Sequence, residues 1–311
     1  MKSRIVVGAI AKPATLGPRL PGAASKPSTR RSVVLKVSYS ELTEFAQCRR
    51  RWELRYREGW LPPEDPEPLV LGQAVHAGLA AKAKGDDVEL ATVQAITEST
   101  LSPERRRWIA AKALPLVEAA EIPEGEILGV EHRFGLKWDV DGVRFQFVGV
   151  FDLVLKRDDH ILVLDWKTVS RVPNCDRMRE LDDQLAVYQA AAMDLWPNEE
   201  IRTAWVALST SLRGRKSESP VQFRRRWEEE IRKNKEKYIV QFPVVLTEDR
   251  VRRALERVAV LVQEIEEGRI YRNPGACSAW PCPYELICDD SSRAEALGFR
   301  KLERRRDGLE N

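Results

Sequence analysis

The chain has 311 residues, of which 43% are hydrophobic, and its 51 basic and 48 acidic residues leave a net charge of +3. This composition suffices for one large hydrophobic core or two smaller ones, while the nearly balanced charge does not by itself indicate a nucleic-acid partner. No stretch approaches the roughly 18–20 apolar residues of a membrane span and no secretory signal is recognisable, so we expect a cytoplasmic protein without membrane contacts.

The first 36 residues predict a disordered basic arm. They are rich in Pro, Gly, Ala and Ser, and they contain eight Lys or Arg and no Asp or Glu. Such an arm could contact DNA or be inert, and a cleaved transit peptide is a further alternative. Structure is expected to begin at Val37, because Ser38 followed by Glu41 resembles a capping box for a helix that extends to about Arg57.

A helical region is predicted next, and a region of strands follows it. A proline-rich linker at 62–68 precedes a helix at 71–84 and further helices up to about Ala120. From about residue 125 the sequence is rich in Val, Ile, Leu, Phe and Trp and predicts strands at 127–140, 143–156 and 161–168. Asp141-Gly142 is typical of the tight turn between two antiparallel strands.

The remaining elements complete an α/β pattern. We expect a helix from about 177 to 195, a strand at 201–209, and charged helices near 221–238 and 248–267. A segment that contains three cysteines, 271–289, follows, and 291–311 is predicted to be a charged tail. The expected arrangement is one domain over 37–290, with a helical insert at about 70–120 and a core at about 125–210.

The residues with the clearest chemistry are Asp152, Asp165 and Lys167. Alternate strand residues share a face, so Asp165 and Lys167 point the same way, and a short hairpin would bring Asp152 beside them. Two carboxylates can hold Mg²⁺ or Mn²⁺, and a lysine can orient water and offset negative charge during phosphodiester hydrolysis. The alternative, in which Asp152 caps a turn and Asp165–Lys167 is a surface pair, has equal weight on these residues alone.

Two predicted helices could contribute to this cluster. Gln184 and Tyr188 are four residues apart and therefore lie on one helical face. His76 lies on the predicted 71–84 helix and could bind a divalent metal, although an isolated helical histidine is more often simply packed or solvated. Glu131, on the first long strand, is a further acidic candidate.

Together these residues resemble the ordered motifs of the RecB-like branch of the PD-(D/E)XK nucleases. The similar stretches are Leu71-Gly72 with His76, Gly149 with Asp152, Asp165-Trp166-Lys167-Thr168, Gln184 with Tyr188, and the start at Ser38. The resemblance implies a restriction-endonuclease-like α/β core, with a helical part before it and a cysteine-bearing flap after it. It implies that Lys167 is catalytic, that Gln184 and Tyr188 lie near the scissile phosphate, and that the metal ligands are His76, Asp152, Asp165 and the Trp166 carbonyl.

Four cysteines form a second candidate site. Cys48 precedes the predicted core, and Cys277, Cys282 and Cys288 follow it. Four thiolates can hold zinc or a [4Fe–4S] cluster, or they can remain unligated. Zinc sites usually pair cysteines two to four residues apart, whereas one cysteine before the core and three after it resemble the iron–sulfur variants of RecB-like nucleases. Cys175 is interpreted as an ordinary thiol.

Basic clusters suggest how DNA would be held. Basic runs that could neutralise phosphates occur at 49–51, 105–107, 213–216, 224–226, 232–237 and 304–306, and for any one of them a solvated helix face is the commoner case. The favoured candidates are Arg49, Arg50 and Arg51, together with the basic arm. The resemblance implies an exonuclease that acts on single-stranded DNA ends in repair, recombination or CRISPR-type processing, with a helicase or integrase as a possible partner. The alternatives are a non-catalytic DNA-binding or scaffold subunit and a site-specific endonuclease, although no sequence-reading domain is recognisable.

Overall fold

A six-stranded mixed sheet lies at the centre of the protein. The computed structural model describes residues 34–172, 183–244, 246–279 and 282–302. Two short strands, β2 and β8, form a separate two-stranded sheet. The strands are β1 (Leu35–Ser38), β2 (Trp60–Leu61), β3 (Glu126–Val140), β4 (Val143–Lys156), β5 (Ile161–Val169), β6 (Ile201–Ser209), β7 (Ile239–Val244) and β8 (Arg300–Lys301).

Strand β4 organises the sheet because it pairs with three other strands, one along one edge and two along the opposite edge. Strand β3 runs antiparallel along its whole length. On the opposite edge, β1 pairs in parallel with 145–148, and β5 pairs antiparallel with 153–156. Positions 149–152 lie between these two partners. The sheet then continues through β6, parallel to β5, and ends at β7, antiparallel to β6.

Helices cover both faces of the sheet. They are α1 (Tyr39–Gln47), α2 (Arg49–Trp52), α3 (Glu67–Lys84), α4 (Val88–Thr97), α5 (Pro103–Ala119), α6 (Asp183–Leu195), α7 (Pro220–Lys233), α8 (Lys235–Tyr238), α9 (Glu248–Glu266) and α10 (Pro274–Ala279). Residues of α3, α5 and α7 pack on one face, with Leu153, Leu155 and Leu164. Residues of α1, α6 and α9 pack on the other, with Val154 and Val163. Adjacent strand residues thus enter opposite cores, and the predicted α/β architecture with a central mixed sheet is confirmed.

The N-terminal elements differ from the sequence prediction in two places. Strand β1 begins at Leu35, inside the predicted arm, because its pairing with β4 orders these residues. The single helix predicted up to Arg57 is interrupted at Cys48, whose φ of −157° and ψ of 109° are extended. The backbone resumes as α2 and then as a π-helix, Glu53–Arg57. Residues 1–33, most of the predicted arm, lie outside the described part of the chain.

The C-terminal part also departs from expectation. Strand β7 was not predicted, and the helix expected near 221–238 is divided at Asn234. The start of the predicted charged tail is folded: β8 pairs with β2, and Phe299 is buried in a small core with Trp60 and Tyr284. Within the described residues, no helix is long and apolar enough to cross a membrane.

We predict that Glu41→Gln stabilises the protein at neutral pH. Burial raises the pKa of Glu41 from 4.5 to about 7, although hydrogen bonds with Trp52 and Ser38 oppose the change. Between these values the folded protein keeps a proton that the unfolded chain has lost, so the free energy of unfolding falls as pH rises through this window. In chemical unfolding near pH 8, the free energy of unfolding of Glu41→Gln should therefore exceed that of the parent protein by about 1–3 kcal/mol. This difference should disappear near about pH 4.

The control for this prediction is Glu104→Gln, at an exposed glutamate in the first turn of α5. This change should alter the pH dependence of stability far less than Glu41→Gln does. If the two variants showed the same pH dependence, Glu41 would not have the raised pKa described above.

Candidate active site

The site forms where β4 and β5 stop pairing. The last paired residues are Leu153 and Leu164, and the next residues toward the site, Asp152 and Asp165, are 6% and 3% exposed. Beyond this point the backbone of β5 has no hydrogen-bonding partner on β4. The Asp152 side chain takes that place, since the Trp166 N–H donates to its Oδ2 atom at 2.6 Å. We call this opening the fork.

His76 enters the fork from α3. Its Nε2 atom lies 2.8 Å from the Trp166 carbonyl oxygen, and its Nδ1 atom lies 3.3 Å from Asp152 Oδ1. Burial lowers the pKa of His76, but the Asp152 carboxylate outweighs burial, and the pKa rises to about 9. A protonated His76 would therefore balance part of the negative charge in the fork.

Asp165, Lys167 and Gln184 form a connected group on the other side of the fork. Lys167 Nζ lies 2.8 Å from Asp165 Oδ2, and it donates to Gln184 Oε1 at 2.7 Å. The Gln184 Nε2 group donates to Asp165 Oδ1 at 3.0 Å. Burial raises the pKa of Asp165, while Lys167 lowers it. The amide of Gln184 thus fixes the lysine and the carboxylate relative to each other.

Tyr188 lies one helical turn beyond Gln184 and supports the same group. Its ring packs edge-on against Phe134 and Phe151, and burial, followed by the charge of Asp165, raises the pKa of its phenol. Gly149 allows this packing, because a Cβ atom there would lie 2.5 Å from the Phe134 ring. The Gly149-to-Asp152 stretch therefore combines a packing requirement at Gly149 with a carboxylate that lies in the fork.

Glu131 completes a group of possible metal ligands with His76 and Asp152. One donor atom from each of the three residues lies within 4.8 Å of the others. Glu131 has φ of 52°, a left-handed conformation that is uncommon for a residue with a side chain and is unusual inside a strand. Burial and the charge of Asp152 raise the pKa of Glu131. Strand β3 therefore departs from regular geometry at Glu131, where the side chain of this residue joins the site.

The sequence analysis missed Trp205. It is the register partner of Asp165 on the neighbouring strand β6, and its ring centre lies 5.9 Å from Lys167 Nζ. Its indole nitrogen is buried and has no hydrogen-bonding partner among the described residues. Trp205 belongs to no recognisable sequence motif, so only the register of β5 and β6 shows that it lies beside the site.

The four cysteines predicted as ligands come from two segments that are in contact. Cys48 is buried at the break between α1 and α2. The Asn273 side chain donates to the Gln47 carbonyl at 2.8 Å, and Arg50 Nε donates to the Cys288 carbonyl at 2.8 Å. Burial raises the pKa of the Cys282 thiol, and nearby Cys277 and Cys48 raise it further. Cys175 lies outside the described residues.

Arg49, Arg50 and Arg51 have internal partners. Arg49 pairs with Glu264 and lies over the Tyr271 ring. Arg50 pairs with Glu53 and Glu58, and Arg51 pairs with Glu44. These contacts fix α2 to its surroundings, and DNA binding by the three arginines stays a prediction.

Comparison with known proteins identifies the family. The model of the PD-(D/E)XK nuclease superfamily matches residues 36–289, which include the fork and all four cysteines. A solved structure described as "Crystal structure of SSO0001" is 17% identical, with a TM-score of 0.36, over 82% of this chain and 85% of that chain. Among curated proteins, none matches the chain at a significant level.

We predict that Glu131→Gly gives a more stable protein than Glu131→Ala. Glycine adopts positive φ without steric cost, whereas alanine keeps the strain, so the difference should be about 1 kcal/mol in favour of glycine. Chemical unfolding of both variants measures it. At an ordinary strand position the alanine variant is the more stable of the two. Lys137→Gly and Lys137→Ala, at an exposed position on the same strand, are therefore the control variants. An alanine variant as stable as the glycine variant would mean that Glu131 is not strained.

Proposed function

The chain belongs to the PD-(D/E)XK nuclease superfamily, and we propose that it is a Mg²⁺- or Mn²⁺-dependent nuclease that degrades DNA from single-stranded ends. Superfamily membership implies a hydrolase that acts on phosphodiester bonds. The preference for single-stranded ends and the role in repair, recombination or CRISPR-type processing rest on the resemblance of the motifs to RecB-like nucleases. The observation that carries the catalytic proposal is the convergence of Asp152, Asp165 and Lys167 in the fork.

The donor atoms of the fork fit a hard divalent cation. They are mostly oxygens, as Mg²⁺ and Mn²⁺ prefer, with one imidazole. Asp165 Oδ2 is buried and lies 2.8 Å from the Lys167 ammonium, which favours the charged carboxylate that a metal ligand requires. The proposed ligands are His76, Asp152, Asp165 and the Trp166 carbonyl, with Glu131 as an additional one. When bound, the cation lowers the pKa of a water molecule and neutralises charge on the phosphate.

The protein's own groups would then orient the reaction. The Lys167 ammonium is the charged donor best placed to bind a phosphate oxygen or to orient the attacking water. Gln184 holds Lys167 and Asp165 at fixed positions, which removes the need to order them during the reaction. Trp166 extends into the hydrophobic core and anchors the strand that carries both functional side chains.

A grip on the DNA backbone is expected outside the fork. The loop after β6 contains Arg213, Arg215 and Lys216, all exposed. It begins beside the end of β5, because the Thr210 N–H donates to the Val169 carbonyl at 2.8 Å. The loop therefore starts beside Val169, two residues after Lys167, and sequence-independent contacts of its charges with phosphates would lead a DNA strand toward the site.

For the cysteines we propose a [4Fe–4S] cluster held by Cys48, Cys277, Cys282 and Cys288. The two segments that carry these cysteines are in contact through Asn273 and Arg50. Zinc sites usually pair cysteines two to four residues apart, whereas one cysteine before the core and three after it resemble the iron–sulfur variants of RecB-like nucleases. When bound, the cluster would join α2 to the C-terminal segment through metal–thiolate bonds.

We predict that Asp165→Ala and Lys167→Ala each lower the rate of DNA cleavage by at least about 1,000-fold, while DNA binding persists. Binding should persist because the proposed phosphate contacts lie outside the fork. A time course on end-labelled single- and double-stranded DNA with Mg²⁺, Mn²⁺ or EDTA measures both the activity and its end preference.

The controls for the catalytic variants are Asp158→Ala and Lys137→Ala, at exposed positions away from the fork, which should retain activity. Near-parental cleavage by either catalytic variant would remove the assignment. A parent protein that binds DNA but never cleaves it would favour a non-catalytic subunit.

We predict that anaerobically purified protein contains about four irons per chain and that Cys282→Ala loses them. Since the cluster would connect two segments of the fold, its loss should cost about 4 kcal/mol or more of stability. Cys175→Ala should change neither the iron content nor the melting temperature. Stoichiometric zinc without iron in the parent protein, or iron lost from Cys175→Ala alone, would contradict the proposed ligands.

A further inference from the structure

Asp183 is a buried carboxylate next to Gln184 that the proposed chemistry does not use. We propose that Asp183, Arg250 and Arg257 form a clamp that positions Gln184 in the active site. This inference rests on the proposed function, because Gln184 has a catalytic purpose only if the fork hydrolyses phosphodiesters. The three residues are positioning residues, since the described geometry places them in contact with one another and not with the fork.

The clamp is a carboxylate held by two arginines from one helix. Asp183 begins the described part of α6 and is 5% exposed. Arg250 Nη2 lies 2.9 Å from its Oδ1 atom, and Arg257 Nη1 lies 2.6 Å from its Oδ2 atom. Both arginines belong to α9. Each carboxylate oxygen therefore has its own cationic partner, and the side chain is held at two points.

Asp183 and Gln184 face different neighbours because they are consecutive on a helix. At 3.6 residues per turn their side chains diverge by about 100°. Asp183 contacts α9, while Gln184 contacts Lys167 and Asp165 on β5. Holding Asp183 against α9 thus sets the rotation of α6 about its axis, and this rotation determines where Gln184 points.

Gln184 needs this restraint because it makes two short contacts at once. Its side-chain tip lies roughly 6 Å from the helix axis, so a rotation of about 20° would move it by about 2 Å. Neither the 2.7 Å nor the 3.0 Å hydrogen bond would survive that displacement. The apolar core that α6 and α9 share includes Ala186, Ala254 and Val258. Apolar contacts are non-directional and restrain distance more than rotation, whereas the clamp restrains both.

The two arginines should contribute unequally. The Arg250 side chain is 25% exposed and the Arg257 side chain is 64% exposed. Solvent screens the Arg257 pair more strongly, so its individual effect should be small. Arg250→Ala should therefore resemble Asp183→Asn in its effect on the reaction, while Arg257→Ala should lie close to the parent protein.

The test is a double-mutant cycle between Asp183 and Gln184, on full-length protein. With single-stranded DNA and Mg²⁺ or Mn²⁺, Asp183→Asn should lower kcat about 10- to 100-fold and leave KM within about twofold. In the Gln184→Ala background the same change should lower kcat by less than about twofold, because the group that the clamp positions is already absent. Melting temperature is recorded for each variant, and kinetics are measured well below it.

The matched control is Asp249→Asn. Asp249 also contacts two arginines, Arg252 and Arg253, but all three residues lie on α9 and are largely exposed. This control should leave kcat unchanged. If Asp183→Asn lowered kcat by the same factor in both backgrounds, its role would be general stability and the clamp would be rejected. If Gln184→Ala and Lys167→Ala were both fully active, the proposed function would fail first, so the two failures are distinguishable.

Discussion

The active site depends on the point at which β4 and β5 cease to pair. Past Leu153 and Leu164, the edge of β5 would leave backbone groups of Trp166 unsatisfied inside the protein, at a cost of about 1–3 kcal/mol each. Asp152 accepts from the Trp166 N–H, and His76 lies within hydrogen-bonding distance of its carbonyl. The two side chains that satisfy the Trp166 backbone are also proposed to bind metal, so folding and the proposed catalysis share one set of contacts.

Burying Asp152 and Asp165 carries an electrostatic cost that neighbouring elements offset. A carboxylate away from water is strongly unfavourable unless it is paired or hydrogen-bonded. His76 reaches the fork from α3 on one face of the sheet, and Gln184 reaches it from α6 on the other. Lys167 supplies a positive charge from β5 itself. The site therefore exists only when both helical layers are packed on the sheet, which explains why no short segment contains it.

Local patterns predicted the long strands and the motif residues, and they failed where distant contacts decide the structure. The strand predicted at 201–209 matches β6 because its apolar character is continuous. Strand β1 was missed because it has four residues and its partner lies far along the chain. Strand β7 contains Pro243, which a sheet tolerates at its edge. Likewise, the internal ion pairs of Arg49 cannot be read from a basic run, because Glu264 is distant in sequence.

The pairing of β2 with β8 joins residues near the two ends of the described chain, Trp60 and Lys301. Such non-local contacts form slowly, because a long loop must close before they contribute any stability. During synthesis the central sheet can assemble while Leu54 and Trp60 still lack Tyr284 and Phe299, their partners in the small core. An apolar surface is therefore uncovered on the nascent chain, and it is covered only after Tyr284 and Phe299 have left the ribosome.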